Sequence, residues 1–148
     1  MSNSDGQKGQ QLHGLQARVA GCVYRLGPEL EVPGYGCQDH FLEADTISHS
    51  WEVLLDLVHS GHTNGIVVDL GMPVLHKGVR YNCRVILLDG KVLFIRPKLH
   101  LADDGNYREG RYFSTWKRFG KVEQYRYVQT YFHRDRPHAA VLQKHFDM

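Results

Sequence analysis

Residues 80–98 read RYNCRVILLDGKVLFIRPK. Two apolar runs flank Asp89-Gly90, the dipeptide that a two-residue hairpin turn favours because both central positions take positive φ. The runs are apolar on both faces rather than alternating, which predicts a sheet covered on both sides. Upstream, GIVVDLGMPV (65–74) has the β-branched density of a buried strand, and residues 61–65 between two glycines read as a turn. Before that turn, Ile47, Trp51, Leu54, Leu55 and Val58 fall on the single stripe of an amphipathic helix over 46–59. Asp45 is its expected N-cap and Trp51 an expected core residue. Cys22 to Leu26 reads as a short strand stopped by Pro28, which cannot donate to a ladder. Leu15 to Ala20 reads as the last turns of a helix closed by Gly21. The order strand, helix, strand, hairpin predicts a layered α/β domain.

Composition narrows the function classes. The chain has 148 residues, enough for one domain, and a net charge of +2, too small to argue for a nucleic-acid partner. No apolar run reaches the roughly 18–20 residues of a membrane helix, so no membrane partner is expected. The polar start, MSNSDGQKGQQLHG, lacks the apolar centre of a signal peptide, which makes the cytoplasm the expected location. Cys22, Cys37 and Cys83 are odd in number and form no CxxC pair, so reduced thiols are expected. The ten histidines include no HxxxH or HExxH pair, and no metal site is expected.

Three charged residues are candidates for chemistry. In GPELEVPGYGCQDHF (27–41), Glu29 follows a strand and leads into a loop of Pro33, Gly34 and Gly36. Lys98 closes an apolar strand, and Glu109 lies further on in GNYREGRYF (105–113). Opposite charges delivered by strand ends to one sheet edge can build a site. A lone Glu or Lys after a strand is usually a solvated terminus, and spacing alone does not support the catalytic reading.

A wider motif series does. Gly71-Met72-Pro73, Asn82, Gly90 and PKLHL (97–101) resemble the nitrilase, or carbon–nitrogen hydrolase, superfamily. Within it, YRLGPELEVPGYGCQDHF, GMPVLHKGVRYNCRV and IRPKLHLADDGNYREGRYF resemble the amidase domain of eukaryotic glutamine-dependent NAD synthetases, over roughly residues 16–118. The resemblance implies part of an α-β-β-α sandwich, the first half of the domain. It implies a Glu–Lys–Cys triad that hydrolyses glutamine and releases ammonia. Glu29 would then be the general base, Lys98 the oxyanion donor and Glu109 a second glutamate that positions the lysine. Tyr35 and Tyr107 match tyrosines near the glutamine pocket, and Glu31 is structural on this reading. The nucleophile of such enzymes follows the lysine on a separate strand-to-helix elbow. No cysteine follows Cys83 here, so the chain alone is expected to be inactive, with Cys37 and Cys83 as ordinary motif residues.

The resemblance also implies that ATP and Mg²⁺ act in a separate synthetase domain that amidates deamido-NAD, and that the parent enzyme is a homo-oligomer. Beyond Trp116 the motifs stop and periodicity weakens. The organisation expected is therefore a disordered leader (1–14), a partial carbon–nitrogen hydrolase domain (15–118) and a divergent tail (119–148). The chain reads as a fragment, from a truncated gene model, an alternative transcript or a decayed copy. DNA beyond the codon for Arg118 is expected to encode a cysteine-bearing elbow and a glycine-rich ATP loop. Two rival readings are another amidase of the superfamily, and a non-catalytic interaction protein whose basic, aromatic tail YRYVQTYFHRDRPH (125–138) binds an acidic or nucleic-acid partner.

Overall fold

The computed structural model describes residues 15–127 and 144–147. The expected leader and residues 128–143 and 148 of the tail lie outside these. Residues 15–19 are helical and end where Gly21 takes a φ of 76°. The Gly21 N–H donates to Arg18 O and the Cys22 N–H to Ala17 O, a Schellman closure that needs a left-handed residue at this position. Strand β1 (Tyr24–Leu26) follows, then a 3-10 segment over Tyr35–Leu42, then helix α1 (Ala44–His59).

The helix begins one residue before Asp45, not after it. Glu43 occupies the N-cap without a side-chain bond, and Asp45 sits in the first turn. There its charge still faces the positive end of the helix. The entering chain is tied down from a different residue, Thr46, whose hydroxyl donates to His40 O at 2.7 Å.

Strands β2 (Val67–His76), β3 (Val79–Leu88) and β4 (Lys91–Pro97) form two consecutive antiparallel hairpins. The Asp89-Gly90 turn has φ values of 48° and 67°, as its sequence requires. It is pinned from below: the Asp89 and Gly90 N–H groups donate to Thr63 O and Oγ1, and the Gly65 N–H donates to Asp89 Oδ1. The first hairpin turns at Lys77-Gly78, with φ values of 50° and 79°. Lysine carries no turn preference, so this hairpin is silent in the sequence.

Among the described residues the sheet has six strands in the order β1-β2-β3-β4-β6-β5, where β5 is Gln124–Tyr127 and β6 is Lys144–Asp147. β1 runs parallel to β2 and β6 parallel to β4. One face carries Val68, Leu70, Met72 and Val74 beside Cys83, Val85, Leu87 and Ile95, and it shares one buried cluster with Trp51, Leu54 and Val58 of α1. The other face is covered unequally, where the sequence predicts cover on both sides of the sheet. In β4 the neighbours Leu93 and Phe94 are both exposed, at 44% and 43%. At its upper end this face instead carries an ion pair, Arg84 Nε to Asp69 Oδ1 at 2.6 Å, with the same guanidinium donating to Gly27 O and Pro28 O.

The stretch after Trp116 reads as aperiodic, yet β5 forms there and Tyr125 is 3% exposed. Its ring stacks on Trp51, with centroids 5.5 Å apart and planes 8° from parallel, and its hydroxyl donates to Leu75 O. The first aromatic residue of the proposed interaction tail is therefore inside the core. A single ring, rather than a repeating pattern, seats the strand.

An ionic knot holds the same segment to the first hairpin. The Glu123 carboxylate receives Lys77 Nζ at 2.7 Å, His76 Nε2 at 3.0 Å and the guanidinium of Arg118. The hydrogen bonds from Lys77, His76 and Arg118 pull its pKa from 4.5 down to about 2. A carboxylate depressed in the fold stabilises it fully above its unfolded value and loses that contribution as pH falls through the folded one. Thermal stability should therefore decline between pH 4.5 and about 2. Glu123→Gln should start lower at neutral pH and flatten this part of the curve; an unchanged acid slope would remove Glu123 from the account.

Candidate active site

The segment that carries Glu29 lies across the sheet because the sheet lets it. Gly71 in β2 leaves room there: a Cβ at this position would stand 2.4 Å from the Leu30 backbone nitrogen. The segment is then stitched down by the Gly27 N–H on Asp69 O and the Val32 N–H on Gly71 O. Leu30 takes a φ of 48°, a conformation that bulky residues avoid, and in doing so buries its side chain against Phe41 and Phe113. The neighbouring Glu29 is left 38% exposed at its side chain. Glu31 faces away into an ion pair with both terminal nitrogens of Arg25.

Lys98 arrives from the other direction. It follows β4 and is held by its own N–H on Asn82 O and by the Trp116 N–H on its carbonyl. Its ammonium lies 2.6 Å from Glu29 Oε1 and 2.8 Å from Glu109 Oε2. Glu109 opens a 3-10 turn over Glu109–Arg111 and is 4% exposed. Its Oε2 also accepts the Ala102 N–H at 2.6 Å. The three charged residues expected to form a site thus meet at one point, although 69 residues separate Glu29 from Lys98.

Electrostatics set the protonation states. Partial burial pushes the Glu29 carboxyl up, but Lys98's hydrogen bond, the contact with Glu109, the lysine's charge and the Asn82 amide outweigh it. The group ends below its ordinary value. For Lys98, burial acts to lower the pKa, while hydrogen bonds to Glu109 and Glu29 overcome it and raise the ammonium. Glu29 is therefore an anion and Lys98 a fixed cation at neutral pH. A lysine in that state can donate hydrogen bonds but cannot act as a base.

Tyr35 and Tyr107 stand together at the rim. Their rings meet edge to face with centroids 6.2 Å apart, and both are exposed. Burial, then the negative charges of Glu109 and Glu29, push the Tyr35 hydroxyl up. With Glu109, Leu30 and Phe41 they line a cavity of about 370 Å³. Glu29 and Lys98 line a broader cleft of about 650 Å³ with Asp69, Arg84, Arg96 and His100. The bonds from Lys98 and Asn82 to Glu109 link the two hollows.

Asn82 is the member whose placement sequence reasoning missed. It was legible as a motif residue and as one polar group inside an apolar run. Nothing in the linear order shows that its amide reaches Glu29 Oε1 at 2.5 Å and Glu109 Oε1 at 3.0 Å.

A family model described as carbon-nitrogen hydrolase matches residues 6–140. The chain belongs to the carbon–nitrogen hydrolase family. Over 109 residues it is 56% identical to the glutamine-dependent NAD(+) synthetase of Saccharomyces cerevisiae and 57% identical to that of Homo sapiens. Each match covers 74% of this chain and 15% of the relative, so the chain spans about 15% of the length of these curated relatives. Among solved structures, a glutamine-dependent NAD(+) synthetase from Cytophaga hutchinsonii superposes with a TM-score of 0.77 at 24% identity. That superposition covers 97% of this chain and 22% of the other. A variant of the Nesterenkonia AN1 amidase from the nitrilase superfamily superposes with a TM-score of 0.61 at 18% identity, covering 88% and 47%. The carbon–nitrogen hydrolase match extends past residue 118, into the segment that carries β5.

The cysteines of this family member sit apart from the charged group in character. Cys83 is fully buried, and burial drives its thiol well up. Cys37 is partly buried, its thiol is likewise pushed up, and its Sγ–H donates to Pro33 O. Cys22 is exposed before β1, at the end of that strand away from Glu29.

Proposed function

We propose that this chain carries the base, oxyanion-donor and positioning residues of a glutamine amidohydrolase site that feeds ammonia to an NAD(+) synthetase. The observation that supports this best is Lys98 Nζ held 2.6 Å from Glu29 and 2.8 Å from Glu109. In the reaction, Glu29 takes the proton of a thiol as its sulfur attacks the carboxamide carbon of glutamine. Lys98 donates to the oxyanion that forms, in a site whose walls exclude part of the solvent. As the ammonium turns toward that oxyanion its hold on Glu29 weakens, which strengthens the base when the proton arrives. The C–N bond then breaks, Glu29 returns its proton to the nitrogen, and ammonia leaves a thioester. Water, deprotonated by the same carboxylate, cleaves the thioester to glutamate and regenerates the thiol. Tyr35 and Tyr107 flank the entry for glutamine.

The thiol in this reading is none of the three: burial pushes the Cys37 and Cys83 thiols up, where a nucleophilic cysteine needs a lowered pKa, and Cys22 lies before β1, at the end of that strand away from Glu29. ATP and Mg²⁺ are assigned to the synthetase domain of the parent enzyme. Among the described residues no cluster of three or more His, Cys, Asp or Glu side chains could hold a metal ion. Placement in the cytoplasm and assembly into homo-oligomers belong to the same proposal. Among the described residues no helix is long and apolar enough to cross a membrane.

The test is a chimera in which residues 16–118 replace the matching segment of the yeast relative. Glutamine-dependent activity should persist and should fall by about 10²-fold or more in Glu29→Gln or Lys98→Ala chimeras. An inactive, folded parent chimera would overturn the reading. The chain by itself should release no ammonia from glutamine. Release abolished by Cys37→Ala would make Cys37 the nucleophile.

A further inference from the structure

We infer that Asn82 is the positioning residue of this site, and that it leaves Oε2 of Glu29 as the atom that accepts the proton. The inference rests on the glutaminase reading and deepens it. Asn82 sits in β3 opposite Pro73 and is 2% exposed. Its backbone carbonyl fixes the Lys98 N–H, so it already sets where the lysine leaves the sheet. Its side chain approaches Glu29 Oε1 at 2.5 Å and Glu109 Oε1 at 3.0 Å. Two carboxylate oxygens can face only the amide nitrogen, which has two hydrogens and so donates one to each.

This fork has chemical consequences. Two carboxyl groups that share a lysine would ordinarily share a proton as well, because like charges this close disfavour double ionisation. Here the donors are divided unequally between the two groups. Glu109 receives Lys98 and the Ala102 N–H on Oε2 and Asn82 on Oε1. Glu29 receives Lys98 and Asn82 on the same oxygen, Oε1. The bonds that Lys98 and Asn82 give Glu29 therefore both fall on Oε1 and leave Oε2 to the other side of the group. A carboxylate pinned at one oxygen and open at the other has its direction fixed without losing its basic atom. Asn82 therefore acts through Glu29 and Glu109, aligning the base beside the cation that both carboxyl groups share.

The test has two independent arms. In the chain itself, carboxyl ¹³C shifts of Glu29 and Glu109 are followed against pH for the parent, Asn82→Ala and Asn82→Ser. The parent should show Glu29 titrating below the ordinary glutamate value. Asn82→Ala should raise it by about one pH unit, and Asn82→Ser, which keeps one donor, by less. Should Asn82→Ala fail to fold, the smaller shift in Asn82→Ser is the reading. In the chimera described above, Asn82→Ala should lower kcat by roughly 10- to 100-fold with KM little changed, and should move the acid limb of the pH–rate profile upward. Partial rescue by Asn82→Ser is expected. A lower Tm with an unmoved Glu29 titration and an unmoved pH–rate profile would reduce Asn82 to a structural residue and overturn the inference. If the unsubstituted chimera is inactive while the carboxyl titration shifts as stated, the glutaminase reading fails and the positioning of Glu29 by Asn82 stands.

Discussion

Trp51→Ala should destabilise the fold by about 3–5 kcal/mol, the range for removing a large aromatic ring from a packed core. Trp51 is 1% exposed and stacks on Tyr125 from β5. The substitution thus empties the centre of the α1–sheet interface and also frees the strand that follows Trp116. Two effects should separate in denaturant unfolding. The midpoint should fall, because the packed ring is gone. The m-value should fall as well if β5 detaches in the native state, because less surface is then exposed on unfolding. Tyr125→Ala should reproduce the second effect with a smaller loss of stability. A Trp51→Ala chain that unfolds within 1 kcal/mol of the parent would mean that the helix and β5 do not share a core.

Lys98→Met should cost about 3 kcal/mol at neutral pH, the lower end for breaking a buried charge pair, because the lysine is partly solvated. The reason lies in what remains. Glu109, with a side chain only 5% exposed, keeps its contacts to Asn82 and Ala102 but loses its cation, and Glu29 stays beside it. Two carboxylates at such range cannot both stay ionised, so the pair should take up a proton and titrate well above the usual carboxylate range. The sign of the pH dependence then reverses. In the parent, Glu29 has a lowered pKa, so its stabilising contribution is complete above the unfolded value and fades in acid. In Lys98→Met the raised pair favours the fold more at low pH, so the deficit against the parent should be largest near pH 7 and shrink below about pH 5. Thermal melts of both chains across that interval give the answer. A deficit that does not change with pH would mean that Lys98 holds the site by packing alone.

How much of this was legible in advance differs from element to element. The Asp89-Gly90 hairpin, the α1 stripe and the Gly21 closure were readable because local chemistry dictates each of them. An αL dipeptide, a 3.6-residue period and a helix-ending glycine act within a few residues of themselves. The hairpin at Lys77-Gly78 was not readable, since lysine has no preference for the positive φ of 50° that the paired strands impose on it. Tyr125 was unreadable for a related reason: one ring seated against Trp51 leaves no repeat to detect.

The site divides along the same line. Sequence by itself determined the kinds of residue present: an acid after a strand, a lysine closing another, a second acid beyond it, and a motif series that named a family. Only the tertiary structure decided that Glu29, Asn82, Lys98 and Glu109 share one set of hydrogen bonds, and which oxygen each donor occupies. Hydrophobic patterning selects the face a residue takes, and it is satisfied whether or not two polar groups on distant strands meet. Their meeting depends on register, on the close approach of the Leu30 backbone that the missing Cβ of Gly71 permits and on the strained turn at Leu30. Those are properties of the packed chain, and no stretch of the sequence carries them alone.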